Sequence, residues 1–118
     1  MIIARQHAGE TWSSFLVEEI MKDIVEQKTE YSKWLVENFV IRIFPMVNVD
    51  GVIYGNFRCD LAGYDLNRTW KNPFQTIHPQ VFAIKAELEK LNEKNGISMC
   101  LDLHTHSKEY GAFAYCCI

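Results

Sequence analysis

The chain has 118 residues, of which 48% are hydrophobic and 23% charged, and its formal net charge is −3. This balance is typical of a folded globular protein of one domain and excludes a disordered chain. The mild charge gives no electrostatic basis for binding nucleic acid or an anionic membrane. No apolar run approaches the roughly 20 residues of a membrane span, and the start, MIIARQHAGE, lacks the features of a secretory signal.

The first half of the chain is predicted to begin with the end of a buried strand at residues 2–4 and to continue with a helix over residues 10–27. The apolar residues of that helix fall near helical spacing, with Glu and Lys on the other face; they are Trp12, Phe15, Leu16, Ile20, Ile24 and Val25. A shorter helix is predicted over residues 31–38. Residues 39–44, rich in β-branched and aromatic side chains before Pro45, are predicted to form a strand.

The second half begins with a long segment, residues 46–73, that carries no obvious secondary structure and is therefore interpreted as a functional loop. A helix is predicted over residues 77–95, since Asn95-Gly96 is a good C-terminal stop. Residues 97–103 are predicted to form a second strong strand, and a further apolar run begins at residues 111–118. The alternation of strands and helices predicts an α/β fold with a largely parallel sheet.

Three strands are few for such a sheet, because its two exposed edges would be open to pairing with other chains. We therefore expect further strands on both sides, which makes the sequence a fragment or a truncated gene product. The four cysteines, Cys59, Cys100, Cys116 and Cys117, follow no disulfide or metal spacing. They are predicted to be reduced and mostly buried thiols of a cytosolic protein.

A metal site is suggested by His7 and Glu10, which lie three residues apart between a predicted strand end and a helix start. His104 follows a predicted strand, at the edge where open α/β sheets gather ligands. Two histidines and one glutamate leave a fourth position open for water, as in catalytic zinc sites. An HxxE pair alone is a weak signal, because most such pairs are ordinary surface contacts.

Three segments make the pattern specific: RQHAGETWSS, FPMVNVDGVIYGNFRCDLAGYDLNRTW and LDLHTHS. They resemble, in order, the motifs of the zinc carboxypeptidases, and most nearly those of the cytosolic carboxypeptidases, whose better-known members trim glutamates from tubulin tails. The resemblance spans residues 5–107. It implies a partial three-layer α/β/α carboxypeptidase-like (phosphorylase/hydrolase-like) fold, with residues 1–118 as part of a catalytic domain. It also implies a cytoplasmic, cytoskeleton-associated protein that acts on peptide or protein C-terminal tails.

The same resemblance implies that His7, Glu10 and His104 bind one zinc ion. It implies that the Asp65 carboxylate hydrogen-bonds to the first zinc histidine and orients it. The alternative for Asp65 is a turn-forming role, since Asp is common in loops.

The substrate-binding residues implied by the resemblance are Arg58, Asn67 and Arg68. Arg58 would stabilise the oxyanion, because a guanidinium supplies positive charge where negative charge develops. Asn67 and Arg68 would bind the terminal carboxylate of the substrate, which Arg can do with two parallel hydrogen bonds. The alternatives are ordinary surface charges for the arginines and a turn-forming role for Asn67.

Other residues near the motifs are given less direct roles. Asp102 is interpreted as a structural group or a hydrogen-bond partner of a ligand, and His106 as part of the pocket wall. Trp70 and Met46 are predicted to pack in the core. In this family a glutamate far downstream of the third ligand acts as general base, and the resemblance places it beyond residue 118. Glu109, in a turn-like segment, is not predicted to replace it.

Three positions depart from the subfamily pattern: Ala8 and Val49 replace prolines, and Thr105 replaces a glycine. The first two would loosen loops. Thr105 is expected to be strained if the backbone there needs a conformation that favours glycine.

The leading interpretation is a zinc-dependent carboxypeptidase that releases C-terminal amino acids such as glutamate from protein tails. One alternative is an aspartoacylase-like amidohydrolase of N-acyl amino acids, which shares the HxxE, DLNR and DLH features. The other is a truncated, non-catalytic relative that binds zinc or C-terminal tails, favoured by the missing general base. Without that base, residues 1–118 alone are not predicted to turn over substrate.

Overall fold

A computed structural model describes residues 1–116 of the chain. Its elements in chain order are β1 (Ile2–Ala4), α1 (Thr11–Glu26), α2 (Glu30–Asn38), β2 (Ile43–Phe44), α3 (Val49–Ile53), a 3₁₀ turn (Leu66–Arg68), α4 (Pro79–Asn95) and β3 (Leu101–Leu103). None of these helices is both long and apolar enough to cross a membrane.

The three strands form one parallel sheet in the order β2-β1-β3, with β1 in the centre. Ile2 pairs with Ile43 on one side and with Leu101 on the other, and Ala4 pairs with Leu103. The carboxyl ends of β1 and β3 therefore lie side by side, and the predicted α/β class with a parallel sheet is confirmed.

Helices cover both faces of this sheet, because successive side chains of β1 point to opposite faces. Ile3 packs in one core cluster with Val81 and Ile84 of α4. Ile2 and Ala4 pack in a second cluster with Val17 of α1. The result is a three-layer α/β/α arrangement.

The predicted strands at residues 39–44 and 97–103 are both longer than the observed ones. The cause is the register, since Ile2 donates its N–H to Arg42 O (2.8 Å) and Leu101 donates its N–H to Met1 O (3.0 Å). Residues 39–41 and 97–100 therefore lie before the start of β1 and have no described strand beside them.

The segment at residues 46–73 was predicted to lack secondary structure, but it contains α3 and the 3₁₀ turn. Asn48 begins α3, where its side chain accepts a hydrogen bond from Gly51 N at 3.0 Å. The apolar run noted at residues 111–118 forms no strand over residues 111–116, and residues 117–118 lie outside the described part.

Helix α1 buries only part of the predicted apolar face. The face toward the sheet follows the spacing i, i+4, i+7, i+11 and consists of buried Ser13 and Val17 and half-buried Ile20 and Ile24, beside half-buried Ser14 and Asp23. The larger apolar residues lie on the adjoining face and are exposed; they are Trp12, Phe15, Leu16 and Val25. The small Ser13 side chain lets the helix approach the sheet closely, whereas a face led by Trp12 would hold it away.

The cysteines also differ from the prediction of mostly buried thiols. Cys59 is half-buried, and Cys100 and Cys116 are exposed. Cys117 lies outside the described residues.

Candidate metal centre

The loop that follows β1, residues 5–10, carries two of the three predicted ligands, and we refer to it as the His7 loop. Arg5 turns the chain out of the strand with a left-handed backbone (φ 56°). Its buried guanidinium donates hydrogen bonds to Ala8 O and to Ser14 Oγ, both at 2.8 Å. These bonds tie the loop to itself and to the first turns of α1.

The His7 loop also contacts the segment that carries Arg58. Gly9 N donates a hydrogen bond to Phe57 O at 2.7 Å, and a Cβ on Gly9 would lie only 2.7 Å from the same oxygen. No side chain fits at so short a distance. Glycine at position 9 is therefore required by the close approach of two backbone segments.

The three predicted ligands lie together at the carboxyl ends of β1 and β3. His7 Nδ1 lies 2.6 Å from one oxygen of Glu10, and His104 Nδ1 lies 2.9 Å from the other. One donor atom from each residue falls in a group whose members are all within 4.8 Å of one another. Zinc holds such ligands at about 2.0–2.2 Å, so small side-chain movements of roughly 1 Å bring the three atoms around one ion.

Each histidine presents its other ring nitrogen to a carboxylate. His7 Nε2 lies 3.0 Å from Asp65 Oδ1, and His104 Nε2 lies 2.7 Å from Asp102 Oδ2. A carboxylate in this position holds the proton on Nε2 and leaves the Nδ1 lone pair for a metal. Asp65 is itself fixed at the start of the 3₁₀ turn, where Asn67 N donates to its Oδ1 at 2.9 Å.

The electrostatics of the cluster favour a bound cation. Burial alone would raise the pKa of Glu10, but hydrogen bonds from His104, the Thr105 N–H and His7 outweigh it and lower the pKa to about 2. Hydrogen bonds to Asp102 and Glu10 raise the pKa of His104 to about 9. In the metal-free chain the ionised Glu10 carboxylate is therefore paired with a positive charge, which protonated His104 supplies. Two imidazole nitrogens and a carboxylate oxygen around such a position fit zinc.

Arg58 lies beside this cluster because Asp65 binds both it and His7. Arg58 Nε donates to Asp65 Oδ2 at 2.8 Å, while the side chain of Arg58 stays 43% exposed. Burial would raise the pKa of Asp65, but the hydrogen bonds from His7 and Arg58 outweigh it and hold the pKa below its ordinary value. Asp65 is therefore an ionised link between His7 and an accessible guanidinium.

Asn67 and Arg68 lie on the 3₁₀ turn that follows Asp65. The Asn67 amide nitrogen lies 3.5 Å from His104 Nε2, at the border of the metal cluster. Arg68 is exposed, and its Nη1 lies 3.5 Å from the Asn67 carbonyl. The structure thus places Asn67 at the cluster and Arg68 at its outer side.

The remaining candidates lie outside the cluster. His106 is exposed, and its Nδ1 accepts hydrogen bonds from Lys108 N at 3.3 Å and Glu109 N at 3.1 Å. Glu109 is exposed in this turn. Met46 was predicted to pack in the core but is only half-buried, and its neighbour Val47 is buried in the core instead.

The sequence did not single out Gln6 or the backbone of Thr105. Gln6 is buried and hydrogen-bonds to Asp102 and Trp70. The one sequence feature that could have indicated this role is its position next to His7 at the end of a predicted strand. Thr105 N donates to Glu10 Oε2 at 2.9 Å. The expected strain at Thr105 was wrong, because among the described non-glycine residues positive φ occurs at Arg5 and Gln27.

Comparison with known proteins gives a consistent result. The family model described as zinc carboxypeptidase matches residues 1–110. Cytosolic carboxypeptidase 3 of Bos taurus is 38% identical over 117 residues, which are 99% of this chain and 12% of that protein. Cytosolic carboxypeptidase 6 of Mus musculus is 39% identical over 116 residues, which are 97% of this chain and 21% of that protein.

Solved structures agree with the sequence relatives. A metallo-carboxypeptidase from Burkholderia cenocepacia is 31% identical with a TM-score of 0.81, over 89% of this chain and 28% of that one. A metallo-carboxypeptidase from Pseudomonas aeruginosa, in complex with (2-guanidinoethylmercapto)succinic acid, is 28% identical with a TM-score of 0.66, over 89% and 27%. The predicted carboxypeptidase-like fold is thereby confirmed, and the chain spans less than a third of each of these relatives.

Proposed function

Because the chain belongs to the zinc carboxypeptidase family, we propose that residues 1–118 are part of a catalytic domain that releases C-terminal amino acids from peptides or protein tails. The observation that carries this proposal is the cluster of His7, Glu10 and His104, whose donor atoms lie within 4.8 Å of one another. Arg58 and Asn67 border the same cluster.

Zinc is the cofactor of this family, and His7, Glu10 and His104 are the residues that would hold one ion. Zinc held there would supply Lewis-acid activation of the scissile carbonyl and of water. Three protein ligands leave one position of a tetrahedral site open, which distinguishes a catalytic site from a structural one. Asp65 would fix the orientation of the His7 ring through Nε2.

Arg58 is the proposed oxyanion-stabilising residue. Its Nε is occupied by Asp65, which fixes the direction of the side chain and leaves the two Nη groups for a substrate carbonyl oxygen. A donor fixed before substrate arrives needs no reorganisation as negative charge develops on that oxygen.

Asn67 and Arg68 are the proposed binding residues for the free carboxylate at the substrate's end. Asn67 offers a neutral amide donor at the cluster, and Arg68 offers an exposed planar guanidinium one residue further along the chain. A guanidinium can bind a carboxylate with two parallel hydrogen bonds. Binding of that terminal group would restrict cleavage to the last peptide bond, as an exopeptidase requires.

The proposed substrate class is protein tails ending in glutamate, such as those of tubulin, and the proposed location is the cytoplasm, with access to the cytoskeleton. Support comes from the match of residues 5–107 to the cytosolic carboxypeptidase motifs and from relatives that bear that name. The aspartoacylase-like alternative is disfavoured, since the zinc carboxypeptidase match covers residues 1–110. The non-catalytic alternative is supported by Glu109, which is exposed and is not one of the three residues grouped around the candidate metal position.

The proposal is tested by measuring zinc-dependent release of amino acids from three peptides that end in glutamate, in lysine, and in glutamate with an amidated C-terminus. Both the 118-residue chain and the full-length protein from its natural source are assayed. Release of free glutamate from the first peptide alone is expected of the full-length protein, with loss of activity on chelation. Hydrolysis of N-acetylglutamate without peptide hydrolysis would indicate the amidohydrolase instead, and peptide binding without release would indicate the non-catalytic protein.

Matched variants separate the proposed roles. Arg58→Gln is expected to lower kcat by about 10²–10³-fold while zinc binding persists. Arg68→Gln is expected mainly to raise KM, since it removes a contact to the substrate's end. Lys71→Gln, which removes an exposed positive charge three residues away, is the control and is expected to change neither constant.

A further inference from the structure

A chain of three side chains connects the core to the second zinc histidine. The Trp70 indole N–H donates to Gln6 Oε1 at 2.8 Å. Gln6 Nε2 in turn donates to Asp102 Oδ2 at 2.6 Å, and the same oxygen lies 2.7 Å from His104 Nε2. Trp70 itself packs against the core cluster around Ile3.

The chemistry of the partners fixes the direction of every bond in this chain. The indole nitrogen of Trp70 is a donor only, so it must face the amide oxygen of Gln6. That leaves the amide nitrogen of Gln6 to donate to the Asp102 carboxylate. An ionised carboxylate can accept hydrogen bonds but cannot donate them. Gln6 is 1% exposed, so water cannot substitute for either partner, and its amide has one satisfied orientation.

The Asp102 carboxylate is only partly enclosed by the described residues. Its side chain is 33% exposed, and β3 pairs with β1 on one side only within the described residues. The buried Gln6 amide supplies a fixed donor that holds the carboxylate against His104 Nε2. His7, in contrast, receives its carboxylate directly from Asp65.

We propose that Gln6 and Trp70 are positioning residues for the zinc site, and that they act on His104 through Asp102. We call the hydrogen-bonded series Trp70, Gln6 and Asp102 the relay. The segment of residues 65–70 then orients both histidines, since Asp65 contacts His7 directly and Trp70 begins the relay to His104. This inference rests on the proposed function, because it assumes that His104 is a zinc ligand. It adds two residues that touch neither the metal cluster nor the substrate.

The test is a zinc and cobalt titration of the 118-residue chain and four variants. Trp70→Phe keeps an aromatic ring in the core and removes the indole N–H donor. Gln6→Met keeps the side-chain length and removes both hydrogen bonds of the Gln6 side-chain amide. Each is expected to weaken zinc binding about 10-fold, within the range usual for partners of metal ligands. The absorption bands of the bound Co²⁺ are expected to shift, whereas the far-ultraviolet circular dichroism of the metal-free chain stays the same.

The double variant distinguishes a relay from a loss of packing. If the three side chains act in series, Gln6→Met with Trp70→Phe weakens zinc binding no more than Gln6→Met alone. Trp34→Phe, on the surface of α2, is the control and is expected to leave zinc affinity unchanged.

Two results would overturn the inference. Wild-type zinc affinity and an unchanged Co²⁺ spectrum in both single variants would exclude a positioning role for Gln6 and Trp70. The proposed zinc site would be unaffected by that result. Additive losses in the double variant would assign the effect to packing. If the wild-type chain binds neither metal, the zinc site itself fails, and the proposed function fails with it.

Discussion

The two histidines of the candidate zinc site are held in different ways. His7 is 3% exposed and follows the central strand, in a loop braced by Arg5 and by the contact of Gly9 with Phe57. His104 follows β3, its side chain is 26% exposed, and the described residues 106–116 after it are exposed. One ligand is therefore built into the core, while the other is positioned mainly by polar contacts.

This difference indicates which side of the site positions the other. Glu10 belongs to the His7 loop, yet its Oε2 accepts from both His104 and the Thr105 N–H. The His7 loop therefore provides the surface on which the end of β3 is positioned. We expect the two sides to respond unequally to the same kind of change.

The largest effect is expected from removing a ligand. His7→Ala and His104→Ala should each weaken zinc binding on the order of 10²–10³-fold, measured by chelator competition. Only His7→Ala should also lower the unfolding midpoint of the metal-free chain markedly, because it leaves a buried gap. His106→Ala is the control for both measurements, and equal losses of stability in the two ligand variants would contradict the comparison.

A smaller effect is expected from Asp65→Asn. The change removes the charge that orients His7 and Arg58, so zinc affinity should fall about 10–100-fold. In the full-length protein kcat should fall further than zinc loss explains when assays are run at saturating zinc. Asp50→Asn, in the first turn of α3, serves as the matched control, and unchanged affinity in Asp65→Asn would remove Asp65 from the site.

Gly9→Ala tests the rigidity of the His7 loop itself. The added Cβ would lie 2.7 Å from Phe57 O, so the loop must shift at a cost of about 1–3 kcal/mol in unfolding free energy. Gly111→Ala, at a glycine with φ +74° and open space, should cost about 1 kcal/mol or less. Urea unfolding of both variants measures the difference, and equal costs would show that the His7 loop is not tightly held.

The smallest effect is expected from pH. The folded-state pKa of His104 is raised to about 9 from 6.5 by hydrogen bonds to Asp102 and Glu10. The resulting stability is complete below pH 6.5 and is lost as the pH rises through 9. After allowance for screening, the metal-free chain should lose about 1 kcal/mol between pH 6 and 9.5.

Urea unfolding of the chelator-treated chain at several pH values measures this loss. Burial also raises the pKa of Cys100, so the experiment is done with Cys100→Ser present throughout. Adding His104→Gln should flatten the profile, and an unchanged slope would show that His104 is not the group responsible.

Much of the fold could be predicted from local patterns. Helices α1, α2 and α4 were located within about two residues, because their spacing and caps lie in the sequence itself. The strand lengths were not, because β2 and β3 begin opposite Ile2, at the start of β1, and this register is a long-range property. The buried face of α1 was predicted only in part, since exposed Trp12 and Phe15 carry a stronger apolar signal than buried Ser13.

The site shows the same division. His7, Glu10 and His104 were found because residue type and motif order indicate a metal, and the structure brings them together. Gln6 carries no such signal, because a glutamine is chemically ordinary until its partners are known. Its bonds to Asp102 and Trp70 join positions separated by 96 and 64 residues, a relation that spacing alone does not reveal.

The contact between Glu10 and His104 joins residues 94 positions apart. An ion bound by both would close nearly the entire chain into one loop. In entropic terms a cross-link around a loop of about 100 residues restricts the unfolded chain by roughly 4–5 kcal/mol. Zinc is therefore expected to act on this chain as a reversible cross-link that adds to the pairing of β1 with β3 and raises the stability of the folded chain.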